Sequence, residues 1–155
     1  MIYDLIIIGA GPAGLSAAQY GARANLKTLV IENATVGGQV LNINDFENYP
    51  GVFPGVKGNE FIATMTEQAK AFGAEFLTAT VSSIDKVKNQ FIVKTDKGEQ
   101  TSLTLVIATG AAHRKLGVPG EKELSGMGVS YCATCDGPFF KNRKVVVVGG
   151  GDSAC

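Results

Sequence analysis

Charge of either sign in excess is what this 155-residue sequence lacks. Fourteen Lys and Arg balance fourteen Asp and Glu, and the formal net charge is zero. With no basic surplus, nothing points to nucleic acid or to an anionic membrane as a partner. Cysteine is scarce. Cys132, Cys135 and Cys155 are too few for a disulfide scaffold. Histidine is scarcer still, with His113 alone. Long hydrophobic runs are missing too. The opening "MIYDLIIIGAGPAG" carries Asp4 near its start and closes in glycines, so it is too short to span a bilayer. It also lacks the basic segment and small-residue cleavage pattern of a signal peptide. These absences lead to the expectation of a cytoplasmic, reducing location, where a close cysteine pair is more often catalytic or metal-binding than structural.

What is present is a globular composition, 45% hydrophobic and 18% charged, with 20 glycines. So many glycines imply several places where backbone turns tightly or approaches a ligand. "YDLIIIGAGPAG" reads as a buried parallel strand entering a glycine loop. "PAGLSAAQYGARAN" reads as a helix opened by Pro12, and "KTLVIE" as a second strand ending at Glu32. Residues 33–57 have no period and read as an ordered loop, held by Phe46, Tyr49 and Phe53. "NEFIATMTEQAKAFGAE" is an amphipathic helix with Phe61, Met65, Gln68 and Phe72 on one side, widened by Ile62 and Ala69. Asn59 is its candidate N-cap and Gly73 its candidate C′ residue. Beyond it, "NQ" and "DKG" turns separate strands of a small antiparallel meander, and "SLTLVIATG" ends as a buried strand. Charge, glycine and proline then mark an interdomain crossing, in which His113 and Arg114 are expected to be solvated. Phe139 and Phe140 are expected to fill core, and Cys155 to be buried as a small apolar residue.

Two glycine loops carry chemistry. Gly9, Gly11 and Gly14 form G-x-G-x-x-G between strand and helix. The first glycine allows the turn, the second lets backbone approach a pyrophosphate, and the third lets helix and strand pack closely. Free N–H groups and the helix dipole favour the anion there. Glu32 lies 23 residues after Gly9, near the spacing of a ribose-binding carboxylate. The second loop, Gly149-x-Gly151-x-x-Ala154, follows the apolar "KVVVV" and would open a second dinucleotide fold. No further helix, strand or acid follows it, so the sequence is expected to be a piece of a longer protein.

Between the loops stands "YCATCDG". Structural zinc needs four ligands, and one Cys-x-x-Cys with a single histidine does not supply them. A disulfide staple closing a two-residue gap adds little and is disfavoured in a reducing compartment. A redox couple is the better reading of Cys132 and Cys135, since one thiolate of a Cys-x-x-Cys pair is readily stabilised and its partner closes the disulfide. Asp136 is either a proton carrier for the thiols or a helix or turn cap. A redox pair flanked by two dinucleotide loops implies an electron relay, with flavin as the middle carrier.

In this order "IIIGAGPAG", "VIE", "GGQ", "ENYPG", "IATGA", "GVSYCATCDG" and "VVVVGGGDSA" resemble the low-molecular-weight thioredoxin reductases over essentially the whole sequence. The resemblance implies an α/β fold: a Rossmann-like FAD-binding domain over residues 1–113, with a parallel sheet, helices and a small meander. Residues 114–155 would carry the crossing, the redox pair and the first strand of a second Rossmann-like domain for NADPH. It implies that Gly9, Gly11, Pro12, Ala13 and Gly14 hold the FAD pyrophosphate and Glu32 the adenosine ribose. Gly37, Gly38 and Gln39 would line the flavin side, Asn48 would reach the flavin region, Val81 would meet the adenine, and Thr109 and Gly110 would complete the wall. Gly149, Gly151 and Ala154 would begin the NADPH site. Cys135 would face the flavin, Cys132 would attack the thioredoxin disulfide, and Asp136 would donate the proton. The implied reaction is reduction of thioredoxin by NADPH through FAD, in a homodimer whose two domains rotate about a crossing near Leu116–Gly120. The rest of the NADPH domain and the C-terminal return to the FAD domain are missing from the sequence, so these 155 residues alone are expected to be inactive. A non-catalytic FAD-binding fragment and a related reductase fed by another donor, such as ferredoxin, are the alternatives.

Overall fold

The computed structural model describes every residue of the chain except Asp152, Ser153 and Cys155, and of Thr134 and Cys135 the backbone alone. The expectation of a buried Cys155 therefore lies outside the described residues. Two units are distinguished, Met1–Gly110 and Ala111–Cys155.

The first unit grows from its isoleucine run. Strand β1 (Ile2–Ile8) lies parallel to β2 (Thr28–Glu32), joined by helix α1 (Pro12–Arg23). Pro12 starts the helix, where its missing N–H costs nothing, and Asn25 ends the connection at φ 59°. Because β1 is covered on both faces, Ile6 and Ile7 are wholly buried, which is why the run does not alternate. Side chains buried this fully stabilise the fold by about 1.5–3 kcal/mol each.

Helix α2 (Gly58–Ala71) joins α1 on one face of the sheet, burying Ile62, Met65 and Ala69 with Leu15 and Ala18. The observed stripe is rotated from the expected one. Gln68 is exposed and Phe72 is 42% exposed, its ring lying beneath the Arg23 guanidinium at 4.7 Å. The helix also begins earlier than Asn59. Lys57 is the N-cap without a side-chain bond, and a Cβ at Gly58 would stand 1.8 Å from the Val40 carbonyl oxygen. Close backbone contact, not capping chemistry, sets this helix start. Gly73, at φ 100°, ends it as expected.

Strand β3 (Glu75–Thr78) pairs parallel with β2. Strands β4 (Val81–Val87), β5 (Gln90–Thr95) and β6 (Gly98–Ile107) each run antiparallel to the next, and β6 returns parallel to β1. All six form one sheet in the order β3-β2-β1-β6-β5-β4, so the meander is an extension of the parallel sheet. Only Ala79 and Thr80 link the two edge strands. In a flat sheet those edges would lie about 24 Å apart, whereas the link spans about 11 Å at most. The sheet therefore curls, and Val93 of β5 packs on Ile6, Ile8, Leu29 and Ile31 on the face opposite the helices. Strand β6 is less buried than its sequence suggests. Leu103 and Ile107 are exposed.

The aromatic anchors of the loop are Phe46 and Tyr49, whose ring centroids stand 4.8 and 4.9 Å from that of Phe61. Phe53 is not an anchor, being 92% exposed.

In the second unit the described elements are helix α3 (Ala133–Asp136) and a 3-10 turn, Gly137–Phe140. The strand expected over residues 144–148 does not form, and Val145–Val148 are exposed. A central parallel strand needs flanking strands, and among the described residues all six strands lie within the first unit. Phe139 is likewise exposed rather than core, since no described apolar residue of this unit is buried. Among the described residues, no helix is long and apolar enough to cross a membrane.

Candidate functional site

The glycine loop has three differently used glycines. Gly9 stands at φ 99°, donates its N–H to the Ile31 carbonyl at 2.8 Å, and a Cβ on it would come within 2.3 Å of the Ala108 oxygen. A Cβ on Gly14 would lie 1.9 Å from the Gly9 oxygen, so this residue permits the helix to sit on the loop. Gly11 caps α1, and nothing lies within 4 Å of where its Cβ would be. The first and third glycines answer to the fold, while the second faces open space at a helix N-terminus. Ala13 is exposed beside it, and Pro12 fixes the first turn. Free backbone, a positive dipole end and room for a ligand thus coincide, which is the cradle that a pyrophosphate fits.

Beside the loop lies a cavity of about 270 Å³. Gly9, Glu32, Val81 and Thr109 line it, brought together from the ends of β1, β2 and β6 and the start of β4. A site at the carboxyl ends of parallel strands is where an open α/β sheet presents its crevice. The Glu32 carboxylate accepts the Ala10 N–H at 2.8 Å and the Ala34 N–H at 3.2 Å. An acceptor-only group held at the cavity rim is chemically suited to the hydroxyls of a ribose.

Gly37, at φ 130°, donates its N–H to the Ala10 carbonyl at 2.9 Å. Gly38, at φ 59°, lies against Gly11, its Cβ position 3.7 Å from the Gly11 Cα. The "GGQ" segment is thus folded onto the first loop, with Gln39 exposed in the following 3-10 turn, Gly38–Asn42. Gly110 follows Thr109 at φ 68°. Asn48 is exposed in the loop anchored by Phe46 and Tyr49 and does not line the cavity.

The second unit holds the cysteine motif. Cys132 is disulfide-bonded. Its N–H donates to the Ser130 hydroxyl at 3.1 Å, and its carbonyl accepts the Asp136 N–H at 3.0 Å. Asp136 closes α3 and is half-buried. The side chain of Cys135 lies outside the described residues. Gly149, at φ 128°, approaches Ala154, its Cβ position 3.6 Å from the Ala154 Cβ, and the Ala154 N–H donates to the Gly151 carbonyl at 2.8 Å.

Sequence reasoning missed two groups of residues. Thr80 and Ile107 line the cavity. Thr80 is held there by a reciprocal pair with Asp96, its N–H donating to the Asp96 carboxylate at 2.9 Å and its carbonyl accepting the Asp96 N–H at 3.1 Å. The Asp96 of the "DKG" turn was the signal available. The second group is a carboxylate clasp. Glu121 accepts hydrogen bonds from the Leu116 N–H at 2.8 Å, the Gly117 N–H at 2.6 Å and the Tyr131 hydroxyl. These bonds, that from Tyr131 foremost, hold the Glu121 carboxyl below its usual range, and the bond to Glu121 pushes the Tyr131 phenol up. His113 is exposed, as expected, and stacks its ring on Tyr131, with 3.7 Å between centroids.

Comparison with known proteins agrees with this arrangement. The family model described as pyridine nucleotide-disulphide oxidoreductase matches residues 3–155. A thioredoxin reductase of Treponema pallidum is 56% identical over 153 residues, covering 99% of this chain and 50% of that protein. For a thioredoxin reductase of Bacillus subtilis the identity is 54%, over 99% of this chain and 48% of that protein. The crystal structure of thioredoxin reductase from Streptococcus pyogenes superposes with a TM-score of 0.84 at 46% identity, covering 99% of this chain and 50% of the other. The chain therefore spans about half the length of the curated relatives it matches.

Proposed function

Because the chain belongs to the pyridine nucleotide-disulphide oxidoreductase family, we propose that it forms part of an NADPH-dependent thioredoxin reductase. The observation that carries this reading is the disulfide-bonded Cys132 in a Cys-x-x-Cys-Asp motif, on the same chain as a glycine-loop cavity rimmed by Glu32. Gly9, Gly11, Pro12, Ala13 and Gly14 would hold the pyrophosphate of FAD, and Glu32 its ribose. Gly37, Gly38, Gln39, Val81, Thr109, Gly110 and Asn48 would complete the site. Bound there, FAD would supply a two-electron carrier between NADPH and sulfur. Gly149, Gly151 and Ala154 would supply the first turn of the NADPH site.

The chain's own chemistry is thiol–disulfide exchange. With the Cys132–Cys135 pair reduced, the Cys132 thiolate attacks one sulfur of the thioredoxin disulfide. A mixed disulfide forms, and the other thioredoxin sulfur leaves as thiolate. Cys135, as thiolate, then attacks the Cys132 sulfur. The intramolecular disulfide re-forms, and the second thioredoxin sulfur departs. Asp136, next to the pair, gives protons to the departing thiolates. The whole enzyme on this reading is a cytoplasmic homodimer, as expected for a dithiol couple that must be re-reduced at every cycle.

The test is made on the full-length protein. It should purify yellow, or take up FAD, and then reduce oxidised thioredoxin with NADPH. A protein that neither carries flavin nor accepts it would sink the reading.

A further inference from the structure

Glu121 is 7% exposed, and both its carboxylate oxygens are engaged. Oε1 accepts the Leu116 N–H and the Tyr131 hydroxyl, and Oε2 accepts the Gly117 N–H. A carboxylate with three donors is a strong junction, since each of its bonds is charge-assisted. The backbone it grips is otherwise permissive. Gly117 and Gly120 stand at φ 76° and 86°, in the segment whose composition suggests a flexible crossing. The other end of the junction is Tyr131, whose ring is fixed by the stack on His113 and whose next peptide belongs to Cys132. Cys132 is in turn held from both sides. Its N–H meets the Ser130 hydroxyl, and its carbonyl meets the Asp136 N–H.

The bonds therefore run unbroken from the 116–117 backbone through one carboxylate and one phenol to the peptide of the sulfur-bearing residue. We propose that Glu121 is a positioning residue for Cys132, acting through the Tyr131 hydroxyl to fix where the Cys132 sulfur stands for exchange with a protein disulfide. Glu121 touches no reacting atom. It converts a glycine-rich crossing into a braced support, and a near-attack geometry is sensitive to displacements of such a support. The proposal rests on the reading of Cys132 as the outward thiol.

The experiment uses the full-length, FAD-loaded protein, reduced with dithiothreitol and then treated with limiting iodoacetamide. Fragmentation mass spectrometry reads the ratio of alkylation at Cys132 to that at Cys135. Wild type should alkylate Cys132 preferentially. Tyr131→Phe keeps the ring and its stack but removes the hydroxyl, and should lower that preference about tenfold. It should leave KM for NADPH and flavin content unchanged and lower kcat with thioredoxin. Glu121→Ala should do the same, and the double variant should be no worse than the worse single. If Glu121→Ala fails to fold, Tyr131→Phe still decides. Wild-type preference in a folded Tyr131→Phe overturns the proposal and leaves the disulfide-reductase reading standing. No preference in the wild type overturns the outward role of Cys132 and the proposal with it.

Discussion

The carboxylate of Glu32 accepts the backbone N–H of Ala10 at 2.8 Å, fastening the end of β2 to the glycine loop 22 positions earlier in the chain. The same carboxylate rims the cavity, so it organises the loop and offers acceptors to a ligand at once. Removing it should therefore cost more than one hydrogen bond. Glu32→Ala is expected to weaken FAD binding by about a hundredfold, and Glu32→Gln, which keeps an acceptor for Ala10, by about tenfold. Fluorescence titration of the full-length apoprotein with FAD measures both. Equal losses in the two variants would mean that the loop bond has no share in the affinity.

Gly11 and Gly14 lie three residues apart and should fail in opposite ways. A methyl on Gly14 would stand 1.9 Å from the Gly9 carbonyl oxygen, and backbone must move to admit it. Gly14→Ala should destabilise the fold by about 3 kcal/mol, the upper end for overpacking. Gly11, at φ −74°, has nothing within 4 Å of its Cβ position. Gly11→Ala should change stability by less than about 1 kcal/mol while blocking the approach of a pyrophosphate. Urea midpoints and flavin content, measured together, separate the two. A Gly11→Ala protein that keeps its flavin at wild-type affinity would contradict the cradle.

The contrast shows what local pattern can and cannot convey. The strand, glycine loop, helix and second strand were legible because one isoleucine run, three spaced glycines and an acid at a fixed distance are all local signals. The place of Glu32 beside the first glycine loop followed from the same logic. The curl of the sheet was not legible, because it comes from a two-residue link between edge strands that meet only through tertiary pairing. The stripe of α2 was read one position off because backbone contact at Gly58, not the aromatic spacing, sets its rotation. "KVVVV" has the composition of a central strand, yet strand identity needs neighbours that composition does not provide. Glu121 left no trace at all. Its importance lies in which three donors converge on it, and nothing in the run "VPGEKE" announces them.

Cys132 and Cys135 are assigned different work, and one substitution tests the division. Cys132→Ser should abolish reduction of thioredoxin, a fall of about a thousandfold or more in kcat/KM, because a serine hydroxyl does not replace a thiolate at neutral pH. Bleaching of the flavin absorbance by NADPH should persist in that variant, since the remaining thiol is the inward one. Stopped-flow absorbance and an insulin-coupled thioredoxin assay follow the two halves. Normal thioredoxin turnover in Cys132→Ser would remove this residue from the exchange.

The Glu121–Tyr131 clasp has a pH signature of its own. Glu121 is held below its ordinary 4.5, chiefly by the bond from Tyr131 and then by the Leu116 N–H. A lowered acid stabilises the fold above its unfolded pKa, and that stability is lost as pH falls through the folded value. Tyr131 is raised above 10.0, chiefly by the bond to Glu121. A raised phenol contributes stability below 10.0 that is lost as pH rises through its folded value. Between these limits neither group changes charge, so the clasp should be indifferent to pH from about 5 to about 9.5. Hydrogen exchange at the Leu116 and Gly117 amides reads the clasp directly, once corrected for the intrinsic pH dependence of exchange. Their protection factors should be flat across that window and fall outside it at either end. A change in protection inside the window would show that the Glu121 carboxylate and the Tyr131 phenol do not govern this hold.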